Sequence, residues 1–303
     1  MSAHDHFVPP GLFTLGTVQL GQPYGLGSAR MGMDSQFAES ILDAAVTAGI
    51  AWLDTAQGYG ESESRIGQWC VRHGARVRVV SKLRPLASVP DDEIAVTVRR
   101  AVDESRHRLR IEKIDAYLTR AVDLTRGSVA TALRRAQETG RIGRFGASVY
   151  TQEEVEAVLA VPGIGVAQIP LSVVSRSIMK QSVIAAAADR GVMVFARSVF
   201  LQGALLLAPS DLPVHLASLA PIVGKLRTLA LECRVPLSAL LIAAVRNTPG
   251  VYSPVLGVDS PDQLSELAAA AQVNVTSEAI EAAIRIGLNT PADIVDPRNW
   301  PQA

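Results

Sequence analysis

Apolar positions along this chain fall into two alternating patterns: short, nearly continuous runs, and longer segments with one apolar residue in every three or four. The runs at 13–17, 50–53, 77–81, 114–118, 144–148, 164–169, 192–196 and 255–257 read as strands with no wet face. The segments 36–48, 62–73, 91–110, 128–139, 179–190, 221–233, 236–247 and 261–271 have the spacing of amphipathic helices. Gly49 and Gly140 stop two of these helices, and Thr151 with Glu154 three residues later reads as the capping box of another. Eight strands alternating with helices, with one long Leu/Pro-containing loop at 201–220, imply parallel strands joined by right-handed crossovers. The predicted fold class is α/β, a closed (β/α)8 TIM barrel in preference to an open doubly wound sheet. It is expected to span 1–303 as one domain, with residues 1–12 a flexible polar lead-in.

Composition narrows the function. Hydrophobic residues make up 48% of 303 positions and charged residues 19%, enough for a large core. Lys+Arg and Asp+Glu both number 29, so the net charge is zero, which speaks against nucleic acid or an anionic membrane as the main partner. A small-molecule substrate is expected instead, and nothing in the sequence sets the oligomeric state. Cys70 and Cys233 lack metal-type spacing and suggest a reducing compartment. With no signal-peptide pattern and no apolar run long enough to cross a bilayer, a cytoplasmic location is expected.

The candidate chemistry begins where the second strand stops. Asp54 ends the run Gly49–Leu53, Tyr59 follows five positions later in a Gly-bracketed loop, and Lys82 ends the third strand. The strand ends of a βα barrel are where catalytic groups gather. A free phenol titrates near 10. A buried ammonium beside it favours phenolate, and a carboxylate keeps that ammonium charged and in place. The three types together make a proton donor for a substrate oxygen.

These residues resemble the aldo-keto reductase superfamily, from about Phe13 to Trp300. Leu15-Gly16-Thr17 and Leu53-Asp54-Thr55-Ala56 with Tyr59 and Gly60 look like its first signature, and Lys82 after a Val-rich strand looks like its second. Gly140–Ser148, Gln168-Ile169-Pro170, Ala196-Arg197-Ser198 with Gln202-Gly203, and Leu256–Ser260 match later motifs. The chain is most similar to bacterial members of carbohydrate and secondary-metabolite pathways, down to the closing segment Ile294–Trp300. The resemblance implies an oxidoreductase that passes a hydride between NADP or NAD and a carbonyl or hydroxyl of a sugar or natural-product intermediate. Carried over, Tyr59 is the acid, Lys82 its activator and Asp54 the orienter of Lys82. Ser148 and Gln168 hold the carboxamide, and Arg197 stands where relatives stack an aromatic ring on the nicotinamide. Ser198 and Gln202 follow the pyrophosphate, with Gly16, Thr17 and Gly257 around the cofactor.

Two positions depart from the family pattern. Its catalytic histidine after the fourth strand corresponds to Arg120 when counted from Asp115, or to Thr119 when anchored on Asp123-Leu124. An arginine donates hydrogen bonds but does not give up its proton. Enone reduction, cofactor-assisted isomerisation or a non-catalytic binding role therefore stand beside carbonyl reduction. Where NADP-preferring members carry Lys or Arg for the 2′-phosphate, this chain has Asp259 and Gln263. Ser260 remains available to a phosphate and Glu266 to the adenine amine, while Leu267 replaces the usual Asn.

Overall fold

Eight strands close into a barrel in which each pairs in parallel with the next and the eighth returns to the first. They are β1 (Thr14–Gly16), β2 (Trp52–Asp54), β3 (Arg78–Lys82), β4 (Ile114–Arg120), β5 (Ile142–Ser148), β6 (Val166–Pro170), β7 (Met193–Arg197) and β8 (Val251–Gly257). The computed structural model describes residues 11–26, 34–176, 179–288 and 290–301. Most of the expected lead-in and part of the Gly-rich segment 21–32 lie outside the described residues. The crossovers are α1 (Ser35–Thr47), α2 (Ser62–His73), α3 (Ile94–Leu109), α4 (Ala121–Leu124) with α5 (Gly127–Glu138), α6 (Gln152–Leu159), α7 (Gln181–Asp189), and α8 (Ala220–Glu232) with α9 (Leu237–Arg246). After β8 come α10 (Pro261–Gln272), α11 (Ser277–Gly287) and α12 (Ala292–Val295).

Strand alternation divides the core into two layers. Trp52, Val80, Ala116, Leu118, Val166, Met193, Phe195 and Val255 fill the barrel interior. Their neighbours of opposite phase, such as Leu53, Val79, Tyr117 and Ala167, pack with the surrounding helices. Trp52, Phe195 and Tyr252 meet edge to face at centroid distances of 5.3–5.9 Å and plug the interior.

Several boundaries differ from the sequence reading for identifiable reasons. β8 begins at Val251, four residues earlier than expected, and includes Pro254. The ladder accommodates it opposite Ala196, next to a register shift at Val194/Phe195. The loop 201–220 is not irregular: it winds into 3-10 turns at Ala204–Leu206, Pro209–Asp211 and Val214–Leu219. α11 is an additional helix that packs through a narrow face of Ala279, Ala283 and Gly287. The expectation that no apolar run reaches a bilayer's width meets one exception. The continuous helical stretch Val214–Glu232 has the required length and a mean hydropathy of 1.2, although Leu216, Leu219, Val223 and Leu226 turn into the core.

One ion pair sits behind the barrel, where α2 and α3 meet β3. Glu63 is 1% exposed, accepts from Ser81 Oγ at 2.6 Å and from Arg108 Nε at 2.7 Å. Removing one partner of such a pair costs more than removing both, because it strands a buried charge. Arg108→Met should therefore lower unfolding stability by about 3 kcal/mol. The double variant Glu63→Gln/Arg108→Met should recover most of that in urea denaturation, and equal losses would contradict the pairing.

Candidate active site

The site follows from the same alternation that fills the barrel. Two positions beyond each interior residue, the next side chain of the same phase emerges at the C-terminal rim. Trp52 leads to Asp54, Val80 to Lys82, Leu118 to Arg120, Val166 to Gln168, Phe195 to Arg197 and Val255 to Gly257. Ser148 pairs in register with both Arg120 and Gln168, and Gly16 with both Asp54 and Gly257.

Asp54 and Lys82 are the tightest contact in this rim. Lys82 Nζ lies 2.7 Å from each Asp54 carboxylate oxygen and donates also to the Thr55 carbonyl at 3.0 Å. It reaches the Tyr59 hydroxyl at 3.4 Å. Gln168 Nε2 donates to Asp54 Oδ1 at 2.8 Å, so the carboxylate has partners on two sides. Burial alone would push the Lys82 pKa down; Asp54 and then Tyr59 outweigh it, and the net shift is upward. Lys82 thus stays an ammonium at neutral pH.

The backbone fixes Tyr59 against this pair. Gly21 and Gly60 touch: a Cβ on Gly21 would stand 1.7 Å from the Tyr59 carbonyl oxygen, and one on Gly60 2.4 Å from the Gly21 oxygen. Gly60 also has φ +51, a conformation that favours glycine. The Thr17 N–H and hydroxyl both donate to the Asp54 carbonyl at 2.9 Å, tying β1 to β2. Gln57 donates to the Ala101 carbonyl at 2.8 Å and accepts from Arg84 N at 3.2 Å, which anchors the loop to α3.

A cleft runs from Tyr59 across the rim toward β8. Of the residues expected in the site, Gly16, Thr17, Asp54, Tyr59, Gln168 and Arg197 line it, followed by Ser198, Gln202, Gly257, Asp259 and Gln263. The others stand outside its lining. Lys82 lies behind Tyr59, and Ser148 is half-buried at the end of β5. Ser260 caps α10, accepting from Gln263 N at 3.1 Å, while Gln263 Oε1 accepts from Asp259 N at 2.6 Å. Glu266 is exposed on α10. Arg120 shares the phase of the interior residues, but its guanidinium turns to Asp123 (Nε to Oδ2, 3.6 Å) and is about half exposed. Thr119 shares the phase of Tyr117 and is 2% exposed.

The cleft also contains groups that no sequence pattern announced. Tyr24 and Gln19 line it from the β1–α1 connection, and Phe200, Leu206 and Leu207 supply an apolar wall. Leu26 N donates to the Gln202 carbonyl at 2.9 Å, so two loops meet across it. Gln19 Oε1 is buried without a partner among the described residues. Ser198, Leu201 and Gln202 have φ of 64, 49 and 54, a run of left-handed non-glycine residues at the cleft wall. Leu206 and Leu207 belong to the Leu/Pro-containing segment 201–220. Tyr24 sits in a stretch with no period at all.

Comparison with known proteins shows the family and the same fold. A family model described as the aldo/keto reductase family matches residues 13–286. The chain is 28% identical over 168 residues to the 6-dehydroglucose reductase of Novosphingobium aromaticivorans, covering 50% of this chain and 55% of that one. It is 25% identical over 200 residues to the aldo-keto reductase YhdN of Bacillus subtilis, covering 63% and 59%. These alignments span little more than half the length of either curated relative. In fold it matches the glycerol dehydrogenase of Gluconobacter oxydans with a TM-score of 0.76, at 19% identity over 97% of both chains.

The Asp54–Lys82 pair has a signature in stability. Lys82→Met should cost roughly 3 kcal/mol at neutral pH, because Asp54 loses its countercharge. The Lys82 pKa is raised on folding, so its contribution is complete below the ordinary lysine value of about 10.4 and fades as pH rises through the higher folded value. Urea unfolding should show a constant gap between wild type and variant at neutral pH that narrows only in the alkaline range. A gap that already closes near neutrality would contradict a charged pair.

Proposed function

We propose that this chain, which belongs to the aldo/keto reductase family, is an NAD(P)-dependent oxidoreductase acting on a carbonyl or hydroxyl of a sugar or natural-product intermediate. The observation that carries the reading is the convergence of Tyr59, Lys82 and Asp54 at one end of a cleft. The name of the Novosphingobium relative, a 6-dehydroglucose reductase, supports a sugar carbonyl among the candidate substrates.

The residues present fit a nicotinamide dinucleotide. Gly16 and Gly257 leave the floor of the cleft free of side chains between β1 and β8. The orphaned Gln19 oxygen and the polar groups of Ser198 and Gln202 line its length. Gln168 lines the cleft against Asp54 with Ser148 beside it in register, and Arg197 lines it from β7. When bound, the cofactor supplies the hydride. The chain does the rest. In the direction of reduction, the Tyr59 hydroxyl gives its proton to the substrate oxygen, and the Lys82 ammonium stabilises the phenolate left behind. Asp54 holds Lys82 charged and aimed, and Gln168 braces Asp54. The half-buried Tyr59 regains a proton from solvent at the open end. Oxidation of an alcohol runs through the same groups in reverse.

A carboxylate at Asp259 opposes a 2′-phosphate dianion, which favours use of NADH as well as NADPH. The two cysteines support work in the cytoplasm: Cys70 and Cys233 are free thiols, the second of them exposed.

Arg120 favours a second reading, in which the chemistry is altered toward enone reduction or cofactor-assisted isomerisation, or in which the cofactor is bound without turnover. Its phase on β4 supports Arg120 over Thr119 as occupant of the family's histidine position, and its guanidinium rests against Asp123. Without that histidine, the substrate oxygen relies on Tyr59 alone for its proton.

Tyr59→Phe should lower turnover of a carbonyl substrate by about 10²- to 10⁴-fold while cofactor affinity, read by fluorescence titration, changes little. Undiminished turnover would remove Tyr59 from the reaction. Arg120→His separates the two readings. A rise in activity on simple aldehydes supports a carbonyl reductase with an altered pocket, and no rise on any aldehyde favours the altered chemistry.

A further inference from the structure

The closing segment is rigidly built and is not used by the hydride step. Asp296 Oδ1 accepts from Arg298 N at 3.0 Å, and its carboxylate holds Arg298 Nε at 3.0 and 2.9 Å. Trp300 Nε1 donates to the Ile294 carbonyl at 2.9 Å, and its ring, 8% exposed, leans on His215 at 5.7 Å. This bracing delivers one side chain. The Arg298 guanidinium lies over Tyr150, with Cζ 3.7 Å from the ring centroid.

Arg197 meets the same ring from β7, with Cζ at 4.2 Å. Its remaining contacts are the Val149 carbonyl at 2.9 Å and Ser198 Oγ at 3.3 Å. Tyr150 itself is half-buried just past the end of β5, its N–H donating to Glu154 Oε2 at 2.6 Å. Of this cluster, Arg197 lines the cleft. Tyr24, which lines that cleft, is held above its ordinary pKa first by burial, then by Tyr59, with Arg197, Tyr150 and Lys82 also within electrostatic reach.

Charge counting shows what is missing. Lys82 is matched by Asp54, Arg120 by Asp123 and Arg298 by Asp296. Arg197 has no carboxylate within ion-pair distance among the described residues. Asp296 feels its field, yet is bonded to Arg298. Two guanidiniums thus lie over one ring, and Asp296 is bonded to only one of them, Arg298. Such forks match a carboxylate geometrically.

We propose that the substrate carries a carboxylate, received by Arg197 and Arg298 beside Tyr150 while its carbonyl carbon lies at Tyr59. The class is an acid sugar or other oxo acid. A phosphate dianion fits less well, because Asp296 and Glu154 stand next to the same guanidiniums. The assignment rests on the hydride-transfer reading for the carbonyl end and on the Arg197–Tyr150–Arg298 stack for the acid end.

The test pairs 4-carboxybenzaldehyde with 4-carbamoylbenzaldehyde, nearly equal in shape and different in charge, at saturating cofactor. In parallel, benzoate, benzamide and phenyl phosphate, none of them reducible, are titrated calorimetrically into the cofactor-loaded protein. The proposal expects kcat/KM to favour the acid aldehyde by at least about tenfold, as a charge-assisted hydrogen bond allows. Benzoate should bind tighter than benzamide and phenyl phosphate. Arg197→Leu and Arg298→Leu should each erase most of both preferences. Equal use of the two aldehydes, or a preference that survives in both variants, would overturn it. So would an Arg197→Leu effect confined to cofactor affinity, since that guanidinium would then serve the cofactor. Stronger binding of phenyl phosphate would likewise overturn the carboxylate assignment. If neither aldehyde reacts, the hydride reading fails on its own, and benzoate binding still decides the acid end: binding lost in both variants supports it, and no binding overturns it.

Discussion

The contact on which the rest of the site depends is the buried ion pair between Lys82 and Asp54. Neither charge is stable there alone: desolvation opposes the ammonium, and Asp54 is only 5% exposed. Together they hold an ammonium against Tyr59 at neutral pH, and the barrel is arranged to keep them together. β2 and β3 pair with Asp54 opposite Val80, and Lys82 follows two residues on, in the same phase. Gln168 reaches across from β6 to the same carboxylate, and Thr17 ties β1 to the Asp54 carbonyl. The Gly21–Gly60 approach then sets where Tyr59 stands. Gln168 and Thr17 thus bear on that pair, and Gly21 and Gly60 on Tyr59.

Much of the fold was legible because a parallel barrel writes two simple periods into its sequence. Eight apolar runs and the helical spacing between them leave few other architectures. The rim of the site was legible for a related reason. Asp54, Lys82, Gln168 and Arg197 each stand two residues past a bulky interior residue, so strand phase alone carries them to the same end of the barrel. Phase also bears on the choice that counting along β4 left open. Arg120 continues the line of Ala116 and Leu118, and Thr119 the line of Tyr117.

What the sequence hid lies in segments without a period. Tyr24 and Gln19 come from the connection after β1, Tyr150 from the turn after β5, and Arg298 from the chain end. Their positions depend on close backbone approaches and on caps such as Asp296, which local pattern does not encode. β8 is longer than its apolar run because it includes Pro254, which sits in the ladder next to a register shift. The cap of α10 similarly engages Ser260 and Gln263, two residues a motif comparison assigns to the cofactor. Motif matching names residue types at strand ends; the loops decide which of them face the cleft.

The central claim is that a hydride passes from a nicotinamide to a substrate carbon above Tyr59. Its most direct test is isotopic: the protein is incubated with NADPH or NADH deuterated at the transferable C4 position and a panel of sugar and oxo-acid carbonyls, and the products are examined by mass spectrometry. The account predicts one deuterium on the newly formed carbinol carbon, with labelled product forming about 10²- to 10⁴-fold more slowly in the Tyr59→Phe variant. Product without deuterium, or no product from any carbonyl despite cofactor binding, would contradict it.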